Sequence, residues 1–283
     1  MRELDPQTPP RLSPRATGGA ERRDVAVSSC ATAGVAGSPR AADVVVSPCA
    51  VVGAGRLGPA VAAGLRAAGI EVVGPLRRGE RVPDDAAVAL LCVPDDAIGA
   101  VAAGLPPRPL AGHCSGATGL EALGDRGGFS LHPLMSVPRG SGPEVLRGAG
   151  AAIDGTNPRA LSAANALAAA LGLRPTRVAP RDRAAYHAAA SLASNFLVTL
   201  EGAAERLAAT AGVDRALLAP LVTATASQWA ALGAERALTG PIARGDRGTV
   251  ERQRAAVVER APELLALWDA LAAATTALAG RTA

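Results

Sequence analysis

One short segment, Cys49 to Gly58, constrains the fold of this chain more than any other. It reads CAVVGAGRLG: an apolar run enters a G-x-G-x-x-G turn, and residues 59–69 continue in a helical rhythm. Gly53 permits a tight strand-to-helix turn, Gly55 leaves backbone room for a pyrophosphate, and Gly58 lets the helix approach the strand. The N-terminus of that helix offers unpaired N–H groups to phosphates. The segment predicts a dinucleotide site made of Gly53, Gly55, Arg56, Leu57 and Gly58; a similar turn that binds nothing is the alternative.

The composition of the 283 residues limits the other function classes. Hydrophobic residues make up 49% of the chain but aromatic residues only 2%, so the core is expected to consist of Ala, Val and Leu. The net charge is +4, yet every basic residue is Arg, and no long basic run occurs. With so few aromatic side chains for base stacking, we expect no nucleic-acid partner.

The absence of lysine restricts the chemistry that the chain can perform. Schiff-base catalysis on a side-chain amine is excluded. A general acid or a substrate anchor must be His, Ser, Asn, Arg or water instead.

The four cysteines form no C-x-x-C pair and no zinc spacing, so no metal site is predicted. No apolar run approaches the length of a membrane span, and no convincing signal peptide precedes the motif. We expect a cytoplasmic protein that does not enter a membrane.

The chain divides into three parts. Residues 1–44 are rich in Pro, Arg, Ser and Gly and predict a disordered tail. Residues 45–179 alternate strands and helices, which predicts a Rossmann-type α/β domain with a doubly wound parallel sheet. Residues 180–283 predict an all-helical domain for substrate binding or dimerisation. The predicted strands are 48–53, 70–74, 87–93, 109–114, 128–131, 149–154 and 174–178, and the predicted helices after the glycine turn include 157–171, 182–211, 214–233, 247–258 and 261–279.

The tip of the second strand carries two arginines, Arg77 and Arg78. NAD-specific sites usually place an acidic residue here for the ribose 2′-hydroxyl, and Glu71 lies too early in the strand. Guanidinium groups bind phosphate in bidentate fashion, so the pair favours NADP(H). A solvated turn that is merely basic is the alternative.

Two further strand ends face the predicted ligand crevice. Val93 and Pro94 follow the third strand, and their backbone is expected to pass beneath the cofactor, with Asp95 and Asp96 as helix caps. Ser115 follows the fourth strand, where it could contact the nicotinamide or the substrate, or only cap a turn.

The candidate catalytic side chains come from two segments. His132 is expected to follow the fifth strand, in SLHPL, and to point into the mouth of the site. His187, Ser191 and Asn195 recur at i, i+4 and i+8 and so share one helix face. This face is either a substrate-facing row, with His187 as proton donor and Asn195 as anchor, or a buried network between helices.

An irregular loop, TGPIARGD at 239–246, interrupts the helical part. Asp246 is expected to cap the helix that starts near Arg247. Arg244 could bind an anionic substrate, since no lysine competes for that task.

Together these segments resemble the Rossmann-like proteins with a C-terminal domain of unknown function 2520, close to deazaflavin-dependent NADP oxidoreductases and pyrroline-5-carboxylate reductases. The similar stretches are VVGAGRLGPAVAAGL (51–65), LLCVPDDAI (90–98), HCSGATGLEAL (113–123), SLHPL (130–134), YHAAASLASNFLVTLEGAAERL (186–207) and LTGPIARGD (238–246).

The resemblance implies a Rossmann domain followed by a helical domain, as in the 6-phosphogluconate dehydrogenase superfamily, where the helical part often forms a homodimer. It supplies no substrate. The leading hypothesis is an NADP(H)-dependent oxidoreductase that reduces a small, anionic carbonyl or imine acid. A non-catalytic NADP(H)-binding sensor and a reductase with a deazaflavin cosubstrate are the alternatives.

Overall fold

The computed structural model describes residues 44–280, and the predicted tail lies outside these residues except for Val44. A seven-stranded sheet forms the centre of the described chain, with the strand order β2-β1-β3-β4-β5-β6-β7. Strands β1 to β5 are parallel to one another. The strands are β1 (Cys49–Val52), β2 (Val72–Leu76), β3 (Val88–Leu91), β4 (Leu110–His113), β5 (Phe129–Leu134), β6 (Gly150–Gly155) and β7 (Arg174–Arg177).

The last two strands correct the expectation of a wholly parallel sheet. β6 pairs antiparallel with β5, and β7 is parallel to β6. A parallel pair needs a crossover connection, usually a helix. Only the short 3₁₀ turn Pro143–Leu146 lies between β5 and β6, so the chain returns in the opposite direction. The sheet is therefore mostly parallel, and the α/β class with a helical C-terminal region is confirmed.

The helices of the described chain agree with the predicted ones, with two exceptions, one of which is the unpredicted short helix Ala234–Ala237. A π-helical turn, Leu192–Phe196, divides the predicted helix 182–211. None of the described helices is long and apolar enough to cross a membrane. The helices are α1 (Leu57–Ala67), α2 (Ile98–Ala103), α3 (Pro158–Ala170), α4 (Arg183–Ser191), α5 (Leu197–Ala209), α6 (Arg215–Leu232), α7 (Ala234–Ala237), α8 (Arg247–Arg260) and α9 (Leu265–Ala279).

The core lies on both faces of the sheet. The side chains of β3 are fully buried, as expected of a strand covered on both faces. Helices α1 and α3 pack on one face, where Leu65 and Leu167 are fully buried. Ile98 of α2 and Leu123 pack on the other face. Burying each such leucine or isoleucine contributes about 1.5–3 kcal/mol, which fixes the strand ends that carry the site.

The helical region has a much smaller core of its own. Ala203, Val257, Ala261 and Leu264 form its buried cluster. Helix α6 has no buried residue along its 18 residues. The domain boundary near residue 179 would fall between β7 and α4, and it stays a prediction.

Candidate functional site

The glycine loop joins β1 to α1 in a geometry that only glycine satisfies. Gly53 has a φ of 110°, and its N–H donates to the carbonyl oxygen of Leu76 at 2.8 Å. A Cβ on Gly53 would overlap the carbonyl of Cys92, and a Cβ on Gly58 would overlap the carbonyl of Gly53. The loop therefore holds β1, β2, β3 and the start of α1 together.

The middle of the same loop is open. A Cβ on Gly55 would meet no atom within 4 Å. Arg56 precedes α1 without a side-chain cap, so no side chain covers the first N–H groups of that helix. Arg56 is exposed and Leu57 is half-buried. This arrangement fits a phosphate group, because unpaired N–H groups and the positive end of the helix dipole face the opening.

The tip of β2 is basic in the structure, as the sequence predicts. Arg77 directly follows Leu76, and Arg77 and Arg78 are exposed. Neither guanidinium forms an ion pair with another residue of 44–280. The sequence analysis missed Glu80, whose carboxylate accepts a hydrogen bond of 2.6 Å from the Arg77 N–H. Its spacing of three residues from Arg77 in a Gly-containing turn was the available indication.

The ends of β3 and β4 meet beside the loop. Val93 lies under Gly53, within 3.3 Å of the position that a Cβ would take there, and Pro94 is exposed. The Sγ atoms of Cys92 and Cys114 are 3.7 Å apart. The ends of β3 and β4 are thus in contact beside the glycine loop.

Asp95 and Asp96 correct the expectation of helix caps. They lie inside a single 3₁₀ turn, Asp95–Ala97, that has no side-chain cap. Asp95 instead accepts a hydrogen bond of 2.8 Å from the hydroxyl of Ser115. The carboxylate therefore links the end of β3 to the end of β4.

The contacts of Ser115 are those expected of a residue that caps a turn. Its Oγ accepts hydrogen bonds from the N–H groups of Ala117 and Thr118, at 3.2 and 2.9 Å. Its own hydroxyl hydrogen goes to Asp95. A direct role toward a ligand stays a prediction.

His113 lies fully buried below Ser115. Its Nδ1 accepts a hydrogen bond of 3.2 Å from the Ser115 N–H. Burial, and then the positive charge of Arg183, lower the pKa of His113 to about 4. The imidazole is therefore neutral near pH 7, and it supports the backbone of the Ser115 turn.

His132 lies within β5 and does not follow it, which corrects the predicted end of that strand. Its Nδ1 is 3.0 Å from the hydroxyl oxygen of Tyr186, and the two rings meet edge to face with centroids 5.7 Å apart. The ring centroid of His187 is 6.3 Å from that of His132. A Cβ on Gly116 would lie 2.7–2.9 Å from atoms of both imidazoles, so the Gly116 backbone closes this side of the group.

Burial shifts the pKa values of His132 and Tyr186. Burial, followed by the charges of His187 and Arg183, lowers the pKa of His132 to about 4. Burial also raises the pKa of Tyr186. At neutral pH His132 is thus an uncharged imidazole beside an uncharged phenol.

Arg183 is the main residue that the sequence analysis missed. Only 6% of it is exposed, and it donates to the Ser130 Oγ at 2.9 Å and to the Ser115 carbonyl oxygen at 3.4 Å. Arg183 and His187 are four residues apart on α4 and share a face. Counting back from His187 by one turn would have found it.

Asn195 and Arg244 are exposed and do not take part in the contacts described for His132, Tyr186 and His187. Asn195 is exposed in the π turn, where its Oδ1 accepts a hydrogen bond of 3.1 Å from the Ser194 hydroxyl. Arg244 is exposed in the loop before α8, and Asp246 caps that helix by accepting from the Thr249 N–H at 3.0 Å, as expected. No hydrogen bond or ion pair within residues 44–280 joins Asn195 or Arg244 to His187.

The π turn changes the predicted helix face. Eight residues of α-helix rotate about 80° beyond two full turns. A π turn has a wider ring of hydrogen bonds and rotates less per residue, so it returns Asn195 toward the azimuth of His187. The i, i+4, i+8 row was counted on an uninterrupted α-helix, and its function as a substrate-facing row stays a prediction.

The residue types at this site distinguish it from the rest of the chain. The chain has three histidines and one tyrosine, and all four residues lie at the carboxyl ends of β4 and β5 or on the facing helix α4. Within residues 44–280, no cluster of three or more His, Cys, Asp or Glu side chains could hold a metal ion. The site therefore combines imidazole, phenol and guanidinium groups.

The parallel strand order, the glycine loop and the helical C-terminal region define a Rossmann-type protein with an appended helical region. Residues 150–275 match the family model described as Domain of unknown function (DUF2520). The resemblance inferred from the sequence is thereby confirmed.

Solved structures show the same fold. A Thermotoga maritima protein is 25% identical with a TM-score of 0.69, over 82% of this chain and 98% of its own. A Bacteroides fragilis protein provisionally described as an NADP oxidoreductase is 17% identical, also with a TM-score of 0.69, over 81% and 98%. The pyrroline carboxylate reductase of Plasmodium falciparum, solved with NADP bound, is 13% identical with a TM-score of 0.52, over 82% and 97%. A search of the curated proteins finds no match.

Proposed function

We propose that the protein is an NADP(H)-dependent oxidoreductase that reduces a small carbonyl or imine acid. One observation carries the proposal: every histidine and the single tyrosine of the chain lie at the carboxyl ends of β4 and β5 or on the facing helix α4. Ligands bind at this edge in open α/β sheets. Titratable groups with strongly shifted pKa values that gather in such a place are typical of catalytic sites.

The residues around the glycine loop fit the cofactor. The open space at Gly55 and the uncapped start of α1 suit the pyrophosphate, with Arg56 and Leu57 beside it. Arg77 and Arg78, whose guanidinium groups form no ion pair within residues 44–280, suit a 2′-phosphate. Val93 and Pro94 would support the cofactor from below. When bound, NADPH supplies the hydride for the reduction.

We assign the role of proton donor to His187, on α4. Reduction of a carbonyl or imine requires one proton on the oxygen or nitrogen as the hydride reaches the carbon. His187 is exposed at the edge of the site and can take up a proton from solvent. His132 is less suited to this role, since its low pKa leaves it without an extra proton at neutral pH. It can still donate one N–H hydrogen bond to the substrate.

A homodimer through the helical region is part of the proposal. The apolar side chains of α5 and α6 are unusually exposed: Val198 by 73%, Leu217 by 71% and Leu221 by 65%. Monomeric proteins rarely expose contiguous apolar patches of this kind. A second copy that covers them would also enclose Asn195, whose exposed amide could then contact substrate. Sedimentation equilibrium should give twice the 28.1 kDa of one chain, and a monomer at micromolar concentration would contradict the proposal.

The function is tested in two stages. Purified protein should bind NADPH, measured by fluorescence titration, and should then oxidise it in the presence of one or more 2-oxo acids or cyclic imine acids, measured by absorbance. Tight NADPH binding without oxidation by any acid of either class would instead support the non-catalytic sensor. Failure to bind either nicotinamide cofactor would reject both.

A further inference from the structure

Arg183 is a buried cation with no anionic partner in the described chain. It is 94% buried, and none of the ion pairs within residues 44–280 involves it. Both of its hydrogen bonds go to uncharged oxygen atoms, those of Ser115 and Ser130. Burying a charge is costly unless an opposite charge or several hydrogen bonds compensate for it. An anion bound beside Arg183 would compensate for this cost.

Arg183 also has donors to spare. A guanidinium carries five N–H donors, and two of those of Arg183 have partners among the described residues. The carboxylate of Asp95 acts to raise the pKa of His132, but its hydrogen bond comes from Ser115 and not from Arg183. The remaining donors can bind a carboxylate, in the geometry that makes arginine the usual choice for this task.

The position of Arg183 relates it directly to the proposed chemistry. Arg183, Tyr186 and His187 lie at i, i+3 and i+4 on α4 and share one face. Ser130 and His132 are two residues apart on β5 and point to the same side of the sheet. The hydrogen bond from Arg183 to Ser130 and the contact of Tyr186 with His132 join these two faces.

We propose that Arg183 binds the carboxylate of the substrate, so that the carbonyl or imine group lies beside the edge-to-face contact of His132 and His187. The inference rests on the proposed function for the identity of the anion, but the binding of a carboxylate can be tested without turnover. It assigns the anchoring role to a buried arginine of α4, whereas Arg244 is exposed in a separate loop.

The test uses oxamate, a small 2-oxo-acid analogue that is not reduced, and its uncharged counterpart oxamide. The three histidine rings give three sets of NMR signals, which report on the site without other histidines in the chain. Bound oxamate would offset the charge of Arg183 and so raise the pKa of His132 from about 4, whereas oxamide would not. The groups whose charges also act on His132 are His187, Asp95 and His113, and Tyr186 is its hydrogen-bond partner.

Two substitutions and a matched control complete the test. Arg183→Met should weaken oxamate binding roughly 10- to 100-fold, as expected for the loss of charge-assisted hydrogen bonds. Arg183→Lys keeps the charge and should lose less, which keeps the test decisive if the Met variant fails to fold. Arg181→Ala removes an arginine that is 87% exposed, two residues earlier, and should bind oxamate like the unsubstituted protein. NADP⁺ alone, the other source of anionic groups, should bind all three variants equally.

Each outcome decides a different claim. Equal binding of oxamate and oxamide, or unchanged oxamate affinity in both Arg183 variants, overturns the anchor. Weaker NADP⁺ binding by the Arg183 variants would reassign the residue to the cofactor phosphates and also overturn it. Arg183-dependent oxamate binding in a protein that oxidises NADPH with no acid would support the anchor and sink the proposed reductase.

Discussion

His187→Ala should lower kcat for the reduction roughly 10²- to 10⁴-fold, the usual contribution of a positioned general acid. NADPH affinity should stay unchanged, because the imidazole lies beside His132 and Gly116 and is proposed to contact the substrate and not the cofactor. The side chain is exposed on α4, so its removal should not unfold the protein. Steady-state kinetics with the best acid from the substrate screen, together with an NADPH titration, would measure both effects.

Two companion variants make this prediction specific. Arg181→Ala precedes the same helix and should retain full turnover. His132→Gln should lower turnover less than His187→Ala, since His132 is proposed to contribute one hydrogen bond and not the proton. Turnover that survives in His187→Ala would assign the proton to another group, and a larger loss in His132→Gln would exchange the two roles.

Replacing Arg77 and Arg78 together by alanine should weaken NADPH binding roughly 10- to 100-fold, while NADH binding stays within about threefold. Each hydrogen bond to a charged group contributes about 1.5–3 kcal/mol, and the 2′-phosphate is present in NADPH alone. Neither arginine forms an ion pair in residues 44–280, so their removal should leave stability nearly unchanged. Dissociation constants for both cofactors provide the comparison.

Arg81→Ala is the matched control for this pair. Arg81 is exposed in the same turn, but it lies four residues beyond Arg77 and outside the strand tip. It should leave the preference for NADPH intact. Equal weakening of NADPH binding and NADH binding in the double variant would show that the two arginines do not recognise the 2′-phosphate.

Much of the fold could be predicted from the sequence because its periodicities are strong. The apolar run of β3 and the glycine turn before α1 have few structural alternatives, and their predicted ends agree with the structure within a few residues. The direction of β6 could not be predicted in the same way. It depends on whether the connection from β5 contains a crossover helix, and residues 135–149 contain only a short 3₁₀ turn.

The candidate site was less accessible to sequence reasoning. His132 and His187 were selected for their chemistry, and the structure brings them close together. Arg183 was missed because an arginine near the start of a helix ordinarily projects into solvent, and nothing local shows that it is buried. The π turn was missed because its hydrogen-bond pattern has no residue signature that distinguishes it from α-helix in residues 192–196.

The order of the sheet has a consequence for how such proteins could diversify. The region matched by the family model begins at residue 150, the first residue of β6, yet β6 belongs to the same sheet as the earlier strands, because it pairs with β5. Residues 150–275 contain Arg183, Tyr186 and His187, while Ser115 and His132 lie before them. A recombination at this boundary would inherit half of the proposed site and an unpaired strand, so the two halves should change sequence together. Grafting the helical part of one relative onto another would require His132 and its neighbours on β5 to be transferred with it.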